Sequence, residues 1–450
     1  MHGFFSSSYS NPMKTYASEF PSWRKTNPEN TPKIVLCLTL TLVLLTISPL
    51  YFFPLLGSSF PWKSSASPPP SPSSHGDMDD PIRSVGLAKS CDIFKGEWVP
   101  NPKAPYYTNA TCWAIHDHQN CMKYGRPDTD FMKWRWKPND CELPIFNPAQ
   151  FLELVRGKSL AFVGDSVGRN QMQSLVCLLS KVTYLVDVSP ATSDDKSRRY
   201  FYPTHNFTLA NIWSPYLVKS EDADPSGPSL SGLYNLNLDE PDANWTTKIE
   251  EFDYVIVSAG HWFFRPTMYY EKDHHLVGCF YCKTENITDL TMYYGYRKAF
   301  RTTFQALLNL EGYKGMTFLR TFAPAHFENG EWDKGGDCVR KRPFGSNETR
   351  LEGMNLELYL TQVEEFKAAE REGREKGLKF RLLDTTEVMF LRPDGHPGRY
   401  GHLPNANVTL YNDCVHWCLP GPVDAWNDFL LHMLKMEGGR LSSGRKMRIR

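Results

Sequence analysis

Short apolar runs alternate with helical patterns along the chain from Pro148 onward. The runs are partly β-branched and lie at Leu160–Val163, Val182–Val188, Phe252–Ser258, Met316–Leu319 and Phe380–Asp384. Strands that alternate with helices are typical of a parallel sheet covered on both faces. The pattern therefore predicts an α/β fold over residues 148–440, without a second large domain.

Three helices can be placed from periodicity and end signals. One follows Ser166, with apolar residues at helical spacing at Met172, Leu175, Val176 and Leu179. A second is predicted over Asn355–Lys376, ending near Gly377. The last follows Pro422, and we expect the basic tail, residues 441–450, to be disordered.

An uncharged apolar run near the N-terminus, Ile34–Leu56, is long enough to cross a bilayer as a helix. Basic residues lie mainly before it, at Lys14, Arg24, Lys25 and Lys33, whereas Lys63 is the only one close behind it. This bias predicts a cytosolic tail over residues 1–33 and a body on the other side of the membrane. A cleaved signal peptide is the alternative, but its apolar region is usually shorter and its leader does not extend this far.

Two features favour a non-cytosolic body. Six N-glycosylation sequons all follow the apolar run, at Asn109, Asn206, Asn244, Asn286, Asn347 and Asn407. Ten of the eleven cysteines follow it as well, which is an even number in a compartment where disulfides persist. Cys37 lies inside the run and is interpreted as a small apolar residue. We predict a single-pass type II membrane protein of the secretory pathway.

Two further zones precede the α/β part. Residues 57–90 are rich in Ser and Pro, which predicts an extended stem. Residues 91–147 carry several cysteines and tryptophans with little periodicity, so we expect loops and short strands held by disulfides. The formal net charge is zero, which gives no electrostatic argument for a nucleic-acid partner.

Ser166 is the first candidate for chemistry. It follows the run ending at Val163 and begins a helical pattern, so it is expected at a helix N-terminus, where N–H groups favour developing negative charge. The simpler interpretation is that Asp165 or Ser166 only caps the helix. The string Gly164–Gly168 also fits the short nucleophile-elbow pattern G-x-S-x-G of α/β-hydrolases.

Asp413 and His416 lie on one loop before the last predicted helix. With Ser166 they supply the three chemical types that make a serine hydroxyl nucleophilic, although His416 taken alone is equally well explained as a structural or surface histidine. In α/β-hydrolases the acid and the histidine occupy separate loops. The shared loop instead resembles the SGNH/GDSL esterase superfamily, where one D-x-x-H loop delivers both. In that arrangement His416 is the general base and Asp413 orients it.

The resemblance extends to the plant trichome birefringence-like family. It rests on Cys91-Asp-Ile-Phe-Lys-Gly-Glu-Trp98, Cys121-Met-Lys-Tyr-Gly-Arg-Pro-Asp128, Phe131-Met-Lys-Trp-Arg-Trp-Lys-Pro138, Phe162-Val-Gly-Asp-Ser-Val-Gly-Arg-Asn-Gln171, Gly260-His-Trp262 and Asp413-Cys-Val-His-Trp-Cys418. These motifs occur in order over residues 91–436. The resemblance implies an SGNH/GDSL-like three-layer sandwich with a central parallel sheet, preceded by a disulfide-rich subregion. It also implies a Golgi polysaccharide O-acetyltransferase that works through an acetyl-Ser166 intermediate.

The family resemblance further implies four disulfides, Cys91–Cys141, Cys112–Cys177, Cys121–Cys418 and Cys338–Cys414. This leaves Cys279 and Cys282 to pair locally. In the cytosol such a C-x-x-C suggests redox chemistry or half a zinc site, but in an oxidising lumen a local bridge is favoured.

Oxyanion stabilisation needs two or more donors. The candidates are the backbone N–H groups of Ser166 and Gly260 and the side chain of Asn170. His261 is equally well interpreted as structural or as a substrate contact. Arg169 either steadies the loop or binds the donor, and we favour the structural role.

Exposed rings can stack on sugars, so the aromatic residues near the proposed site are candidates for an acceptor groove: Trp262, Phe263, Trp332 and Trp417. Most of them are expected to be core residues. Trp262 is the first choice for a substrate contact because it adjoins the proposed oxyanion loop.

Three functions compete. The first is acetyl transfer to a polysaccharide, the second is a polysaccharide acetylesterase that uses the same residues with water, and the third is a non-catalytic carbohydrate-binding protein. The segments Gly260–Pro266 and Val277–Cys282 resemble the family branch associated with xyloglucan, ahead of mannan and xylan. No bound cofactor or metal is expected, and the acetyl donor is either acetyl-CoA or another acetyl carrier. Expected partners are the polysaccharide, the membrane and other Golgi acetylation components.

Overall fold

The computed structural model describes residues 91–191, 196–223, 232–281, 286–403 and 411–447, with side chains as far as residue 438. The predicted cytosolic tail, membrane anchor and stem lie outside these residues. Within the described ranges, none of the helices has the length and apolar character needed to span a membrane.

The strands and helices follow one another in a mixed order. The strands are β1 (Gly96–Pro100), β2 (Trp134–Pro138), β3 (Ser159–Gly164), β4 (Val186–Asp187), β5 (Arg198–Tyr202), β6 (Phe207–Trp213), β7 (Val218–Asp222), β8 (Tyr234–Pro241), β9 (Tyr254–Ser258), β10 (Thr267–Glu271), β11 (His275–Phe280), β12 (Met316–Arg320) and β13 (Lys379–Leu383). The helices are α1 (Pro148–Leu154), α2 (Ser166–Leu179), α3 (Ala243–Thr246), α4 (Met292–Asn309), α5 (Gly353–Glu375), α6 (Thr386–Phe390) and α7 (Asp424–Met447).

The largest sheet has the order β13-β12-β9-β3-β6-β5-β4. The strands from β13 to β6 are parallel, and β5 and β4 add an antiparallel edge. The order reverses at β3, since its neighbours are β9 on one side and β6 on the other. In open parallel sheets, ligands bind at the carboxyl ends of the strands beside such a reversal.

Of the two smaller sheets, one precedes the strands of the large sheet in sequence and the other is inserted between β6 and β12. β1 and β2 form an antiparallel pair, and β11-β10-β8-β7 form a mixed sheet in which β10 and β8 are parallel.

Successive residues of the central strand β3 enter opposite cores, as the period-2 geometry of a strand requires. Leu160 and Phe162 join the core that contains residues of α2 and α7, whereas Ala161 and Val163 join the core that contains residues of α4 and α5. The molecule therefore has helices on both faces of a central, largely parallel sheet, which confirms the predicted α/β fold class.

The N-terminal region is tied to the rest of the structure by covalent and polar contacts. Disulfides join Cys91 to Cys141 and Cys112 to Cys177 on α2. The indole N–H of Trp98 donates to the carbonyl of Val388 at 2.9 Å, linking β1 to α6. The expected disulfide-rich subregion precedes the main sheet as predicted.

Four of the five predicted strands form and join the main sheet. The fifth prediction, Val182–Val188, is wrong for most of its length, because only Val186–Asp187 is a strand. Its apolar residues Val182, Tyr184, Val186 and Val188 are exposed. β4 is the edge strand of the main sheet. At this edge the alternating apolar residues stay exposed, so their pattern did not indicate a buried strand.

The three predicted helices correspond to α2, α5 and α7. α7 continues to Met447. The prediction of a disordered tail is therefore wrong for residues 441–447. The pattern also failed to predict β6 and the strands of the mixed sheet.

Candidate active site

Ser166 begins α2 directly after the central strand β3. The turn requires Gly164, whose φ of 149° lies in the region that glycine adopts readily, and a Cβ there would lie 1.7 Å from the carbonyl oxygen of Ser258. The backbone N–H of Asp165 donates to that same carbonyl at 3.0 Å. The strand β9 thus lies directly against the turn that presents Ser166.

Asp165 is buried and caps α2. Its Oδ1 accepts from the N–H of Val167 at 3.0 Å, and its Oδ2 accepts from the N–H of Gly260 at 2.9 Å. The helix-cap interpretation therefore holds for Asp165. The second bond shows that the cap also joins the loops that follow β3 and β9.

Ser166, His416 and Asp413 form a continuous hydrogen-bonded chain. The Ser166 hydroxyl lies 2.6 Å from Nε2 of His416, and Nδ1 of His416 lies 2.8 Å from Oδ2 of Asp413. The other carboxylate oxygen of Asp413 accepts from the backbone N–H groups of Val415 at 3.1 Å and His416 at 2.9 Å. Asp413 thus fixes both the ring and the backbone of His416.

The two charged partners shift each other's pKa in opposite directions. Burial disfavours the imidazolium, but the charge and the hydrogen bond of Asp413 outweigh it and raise the pKa of His416. Burial likewise disfavours the carboxylate, yet the charge and hydrogen bonds of His416 hold the pKa of Asp413 well below its usual range. Asp413 is therefore ionised beside a histidine of increased basicity.

The loop that carries Asp413 and His416 is clamped on both sides. Disulfides join Cys338 to Cys414 and Cys121 to Cys418, with the pairings that the family resemblance implies. The backbone N–H groups of Gly398 and Asp413 each donate to the other residue's carbonyl, at 2.8 and 3.0 Å. These bonds hold the loop against an otherwise distant part of the chain.

Asn170 holds the same loop from α2. Its Oδ1 accepts from the N–H of Trp417 at 2.9 Å, and its amide donates to the carbonyl of Trp417 at 3.3 Å. The residue is fully buried. One amide hydrogen of Asn170 is thus used by the loop, and its predicted role as an oxyanion donor, which would need the second hydrogen, stays a prediction.

Gly260 differs from Asn170, because its single backbone N–H already donates to Asp165 and is not a free oxyanion donor in this structure. A Cβ at Gly260 would lie 2.6 Å from the ring of Phe322, so close packing accounts for the glycine. The other predicted donor is the backbone N–H of Ser166. It lies in the first turn of α2, where N–H groups have no intrahelical acceptor.

Arg169 and Trp262, two further candidates from the sequence, each contact another side chain. The guanidinium of Arg169 lies over the ring of Trp213, with 5.6 Å between Cζ and the ring centroid. Trp262 is half-buried, and the guanidinium of Arg265 covers its ring at 4.0 Å. The Arg265 guanidinium thus occupies one face of the Trp262 ring.

The other candidates divide between core and surface. His261 donates from Nε2 to the carbonyl of Ala323 at 2.8 Å, so this nitrogen has a structural role. Phe263 and Trp417 are fully buried, which rules out both as acceptor contacts in this structure. Trp332 is half-buried and meets Tyr411 edge-on at 5.3 Å.

Several residues at this edge were not singled out from the sequence. Trp213 ends β6 and meets Trp262 at 5.4 Å. His116, which comes from the N-terminal region, has its pKa lowered to about 4 by burial and then by the charges of Arg169, His118 and His416. The signal that could have identified Trp213 is its place at the end of a parallel strand, but β6 itself was missed.

The described glycosylation sequons have exposed asparagines: Asn109, Asn206, Asn244, Asn286 and Asn347. Asn407 lies outside the described residues. Cys279 is disulfide-bonded, and its predicted partner Cys282 also lies outside them. Among the described residues, no group of three or more His, Cys, Asp or Glu side chains is arranged to hold a metal ion.

The arrangement is suited to acyl chemistry. A neutral His416 can accept the Ser166 proton, and Asp413 stabilises the imidazolium that results. The N-terminus of α2 directs its partial positive charge to the same place.

Comparison with known proteins agrees with this chemistry. Residues 143–433 match the GDSL/SGNH-like acyl-esterase family found in Pmr5 and Cas1p, and residues 89–142 match the PMR5 N-terminal domain. The chain is 57% identical to protein trichome birefringence-like 19 of Arabidopsis thaliana, over 92% of this chain and 96% of the relative.

Two further relatives have names that state an activity. Xyloglucan O-acetyltransferase 2 of Arabidopsis thaliana is 44% identical over 77% of this chain and 83% of its own length. Xyloglucan O-acetyltransferase 4 of Populus trichocarpa is 45% identical, over 77% of this chain and 81% of its own.

Proposed function

Because this chain belongs to the plant trichome birefringence-like family and carries its GDSL/SGNH-like acyl-esterase region, we propose that it transfers acetyl groups to a cell-wall polysaccharide. The observation that carries the proposal is the hydrogen-bonded chain from Ser166 through His416 to Asp413. Relatives that are named as polysaccharide O-acetyltransferases support the reaction class.

The proposed reaction has two displacements. Ser166 Oγ attacks the carbonyl carbon of the acetyl donor as His416 takes its proton, and the leaving group departs with that proton. A sugar hydroxyl then gives its proton to neutral His416 and attacks the acetyl-Ser166 ester. The new ester forms on the sugar as the bond to Ser166 Oγ breaks, and the proton returns from His416 to Ser166.

Asp413 serves both steps. It holds Nδ1 of His416 protonated, so that Nε2 presents its lone pair to Ser166, and it offsets the charge that the ring gains. The donor is acetyl-CoA or another acetyl carrier, acting as a substrate rather than a bound cofactor.

We propose xyloglucan as the acceptor, with xylan and mannan as alternatives. The support is the activity stated in the names of the two relatives at 44–45% identity. The relative at 57% identity has a name that states no substrate, so the acceptor has to be measured separately from the reaction.

The proposed location is the Golgi lumen, with the body held to the membrane by the predicted anchor at residues 34–56. Exposed sequon asparagines and the disulfides of the catalytic region are compatible with an oxidising, glycosylating compartment. Other Golgi acetylation components are possible partners there.

The test incubates full-length protein with labelled acetyl-CoA and deacetylated xyloglucan, xylan or mannan. We expect net acetate gain on xyloglucan that is abolished by Ser166→Ala. Ser180→Ala, at the far end of α2, is the matched control and is expected to retain activity. Acetate loss from acetylated polymer without gain would identify an esterase, and tight binding without chemistry would identify a carbohydrate-binding protein. A preference for xylan or mannan would overturn only the proposal that xyloglucan is the acceptor.

A further inference from the structure

Two buried histidines lie in contact behind the loop of His416. Nδ1 of His326 and Nε2 of His396 are 2.7 Å apart. The outer nitrogens each meet a backbone carbonyl, with Nε2 of His326 3.0 Å from the oxygen of Phe390 and Nδ1 of His396 2.7 Å from the oxygen of His416. The two rings therefore connect the end of α6 to His416 itself.

The three distances determine where the hydrogens lie. Carbonyl oxygens only accept, and two ring nitrogens 2.7 Å apart need a hydrogen between them, so all three contacts together would need three hydrogens. A neutral pair possesses two. Burial lowers the pKa of His326 to about 4 and that of His396 well below its ordinary value, so the neutral pair persists at neutral pH. In the neutral pair the two shorter contacts hold these hydrogens, so Nδ1 of His326 donates to Nε2 of His396, and Nδ1 of His396 donates to the carbonyl of His416.

The charged groups around the pair are each engaged elsewhere. On the His326 side, Asp394 pairs with Arg392, and Glu328 pairs with Arg340. On the His396 side, Arg126 pairs with Asp128, and Asp413 pairs with His416. None of these groups forms an ion pair with either ring, which agrees with a neutral pair.

The two histidines also support the loop, one by ring packing and the other through its backbone N–H. The ring of His396 lies 4.0 Å from the ring of Trp417, measured between centroids. The backbone N–H of His326 donates to the carbonyl of Cys414 at 3.1 Å. The pair thus engages the carbonyls on both sides of Val415.

These contacts complete the fixation of the His416 backbone. Asp413 accepts from its N–H, and His396 donates to its carbonyl. Asn170 accepts from the N–H of Trp417, which belongs to the same peptide as the His416 carbonyl, and donates to the carbonyl of Trp417. The position of Nε2 relative to Ser166 therefore depends on a carbonyl that His396 holds.

We propose that His396, supported by His326, is a positioning residue that holds the carbonyl of His416 and thereby aims Nε2 at the Ser166 hydroxyl. The proposal rests on the proposed function, since it assigns a role within the same site. A positioning role can be told from a purely structural one, because any side chain with an N–H donor at the Nδ1 position should retain the positioning role.

The test compares three variants of the full-length protein. His396→Asn places an amide N–H where Nδ1–H lies, His396→Gln places its amide near the Nε2 position, and His396→Phe keeps a ring against Trp417 without a donor. His275→Asn, at an exposed site on β11, is the control. Unfolding in denaturant is measured for each variant, so that loss of folded protein is separated from misplacement.

The primary readout is the rate at which an alkyl fluorophosphonate labels Ser166. In this reaction the Ser166 oxygen bonds to phosphorus, fluoride leaves and His416 takes the proton, so neither the acetyl donor nor the polymer is needed. We expect His396→Phe and His396→Gln to slow labelling by roughly tenfold to a hundredfold, and His396→Asn to recover most of the rate.

The outcomes separate this proposal from the proposed function. Wild-type labelling without acetyl transfer would overturn the transferase assignment and leave the labelling comparison valid. Equal rates in all variants, or losses in His396→Asn as large as in His396→Phe, would overturn the positioning role. Wild-type protein that does not label at Ser166 would overturn it as well.

Discussion

The carboxylate of Asp165 accepts a hydrogen bond from the backbone N–H of Gly260 at 2.9 Å, which joins the loops after two neighbouring strands of the main sheet. The same carboxylate caps the helix that begins with Ser166. A residue that sequence patterns identify as a helix cap therefore also sets the distance between the Ser166 turn and the loop carrying His261 and Trp262.

The two bonds of Asp165 can be separated by substitution. Asp165→Ser keeps an oxygen for the N–H of Val167 but is too short to reach Gly260, whereas Asp165→Ala loses both bonds. We expect Asp165→Ala to lower the free energy of unfolding further than Asp165→Ser, by about 1 kcal/mol, because only alanine abolishes the cap. Denaturant unfolding measures both. Equal losses would show that the cap contributes nothing.

Asn170 provides a test between two roles. If it positions the loop, Asn170→Ala leaves the buried N–H and carbonyl of Trp417 unpaired, which costs about 1–3 kcal/mol of unfolding free energy for each group. If Asn170 is instead an oxyanion donor, the same substitution should lower kcat by a factor of about 10²–10³ with little change in stability. We expect the stability loss. Gln173→Ala on the same helix is the control, since no hydrogen bond to this loop involves Gln173 among the described contacts.

The pH dependence of acylation follows from the raised pKa of His416. The base must be neutral, so the rate should rise with pH through a value above the ordinary 6.5 of histidine. Asp413→Asn removes the charge that raises this pKa, so the rising part of the pH–rate profile should move to lower pH while the maximum rate falls. Ser166 labelling as a function of pH measures both. A pH–rate profile that does not shift in Asp413→Asn would contradict the assignment of Asp413 as the partner of His416.

Stability should respond to pH in the opposite sense. A histidine whose pKa is raised on folding stabilises the fold fully below its unfolded pKa, and that contribution is lost as pH rises through the folded pKa. Acid removes a different contribution, because the depressed pKa of Asp413 stabilises the fold above its unfolded value. Comparing wild type with His416→Gln above about pH 6 follows the first effect alone, because the Asp413 carboxylate is ionised there in both the folded and the unfolded protein.

The disulfides next to the loop should affect activity more than those far from it. Replacing Cys338 and Cys414 by serine is expected to lower the unfolding free energy by about 2–5 kcal/mol and also to slow Ser166 labelling in the folded protein. The matched control replaces Cys91 and Cys141, which should affect stability alone. Equal labelling in the two double variants would show that the Cys338–Cys414 bond does not position His416.

The residues that carry chemistry were more visible in the sequence than the fold around them. Ser166, Asp413 and His416 lie in short local motifs, whose residue types imply a hydrogen-bonded chain regardless of the rest of the sheet. Strand β6 was missed although it pairs with the central strand β3, because Asn211 interrupts its apolar pattern. That polar residue is buried and donates to the carbonyl of Lys196, a partner that no local pattern indicates.

Contacts of side chains with distant backbone groups were the least predictable. Asn170 and Gly260 were assigned to the oxyanion from their places beside Ser166, yet their bonds go to Trp417 and Asp165. His326 and His396 belong to loops without periodicity and meet only in the folded chain. The disulfide pairings came from family resemblance, since cysteine spacing alone permits many connectivities.

The most direct test of the central claim is to trap the acyl intermediate. Full-length protein is mixed with labelled acetyl donor without polymer, quenched in acid and digested, and the peptide containing Ser166 is analysed by mass spectrometry. We expect an acetyl ester on Ser166 that is discharged when deacetylated xyloglucan is added before the quench, and no ester in His416→Gln. Polymer acetylation that proceeds at the wild-type rate in Ser166→Ala would contradict the account.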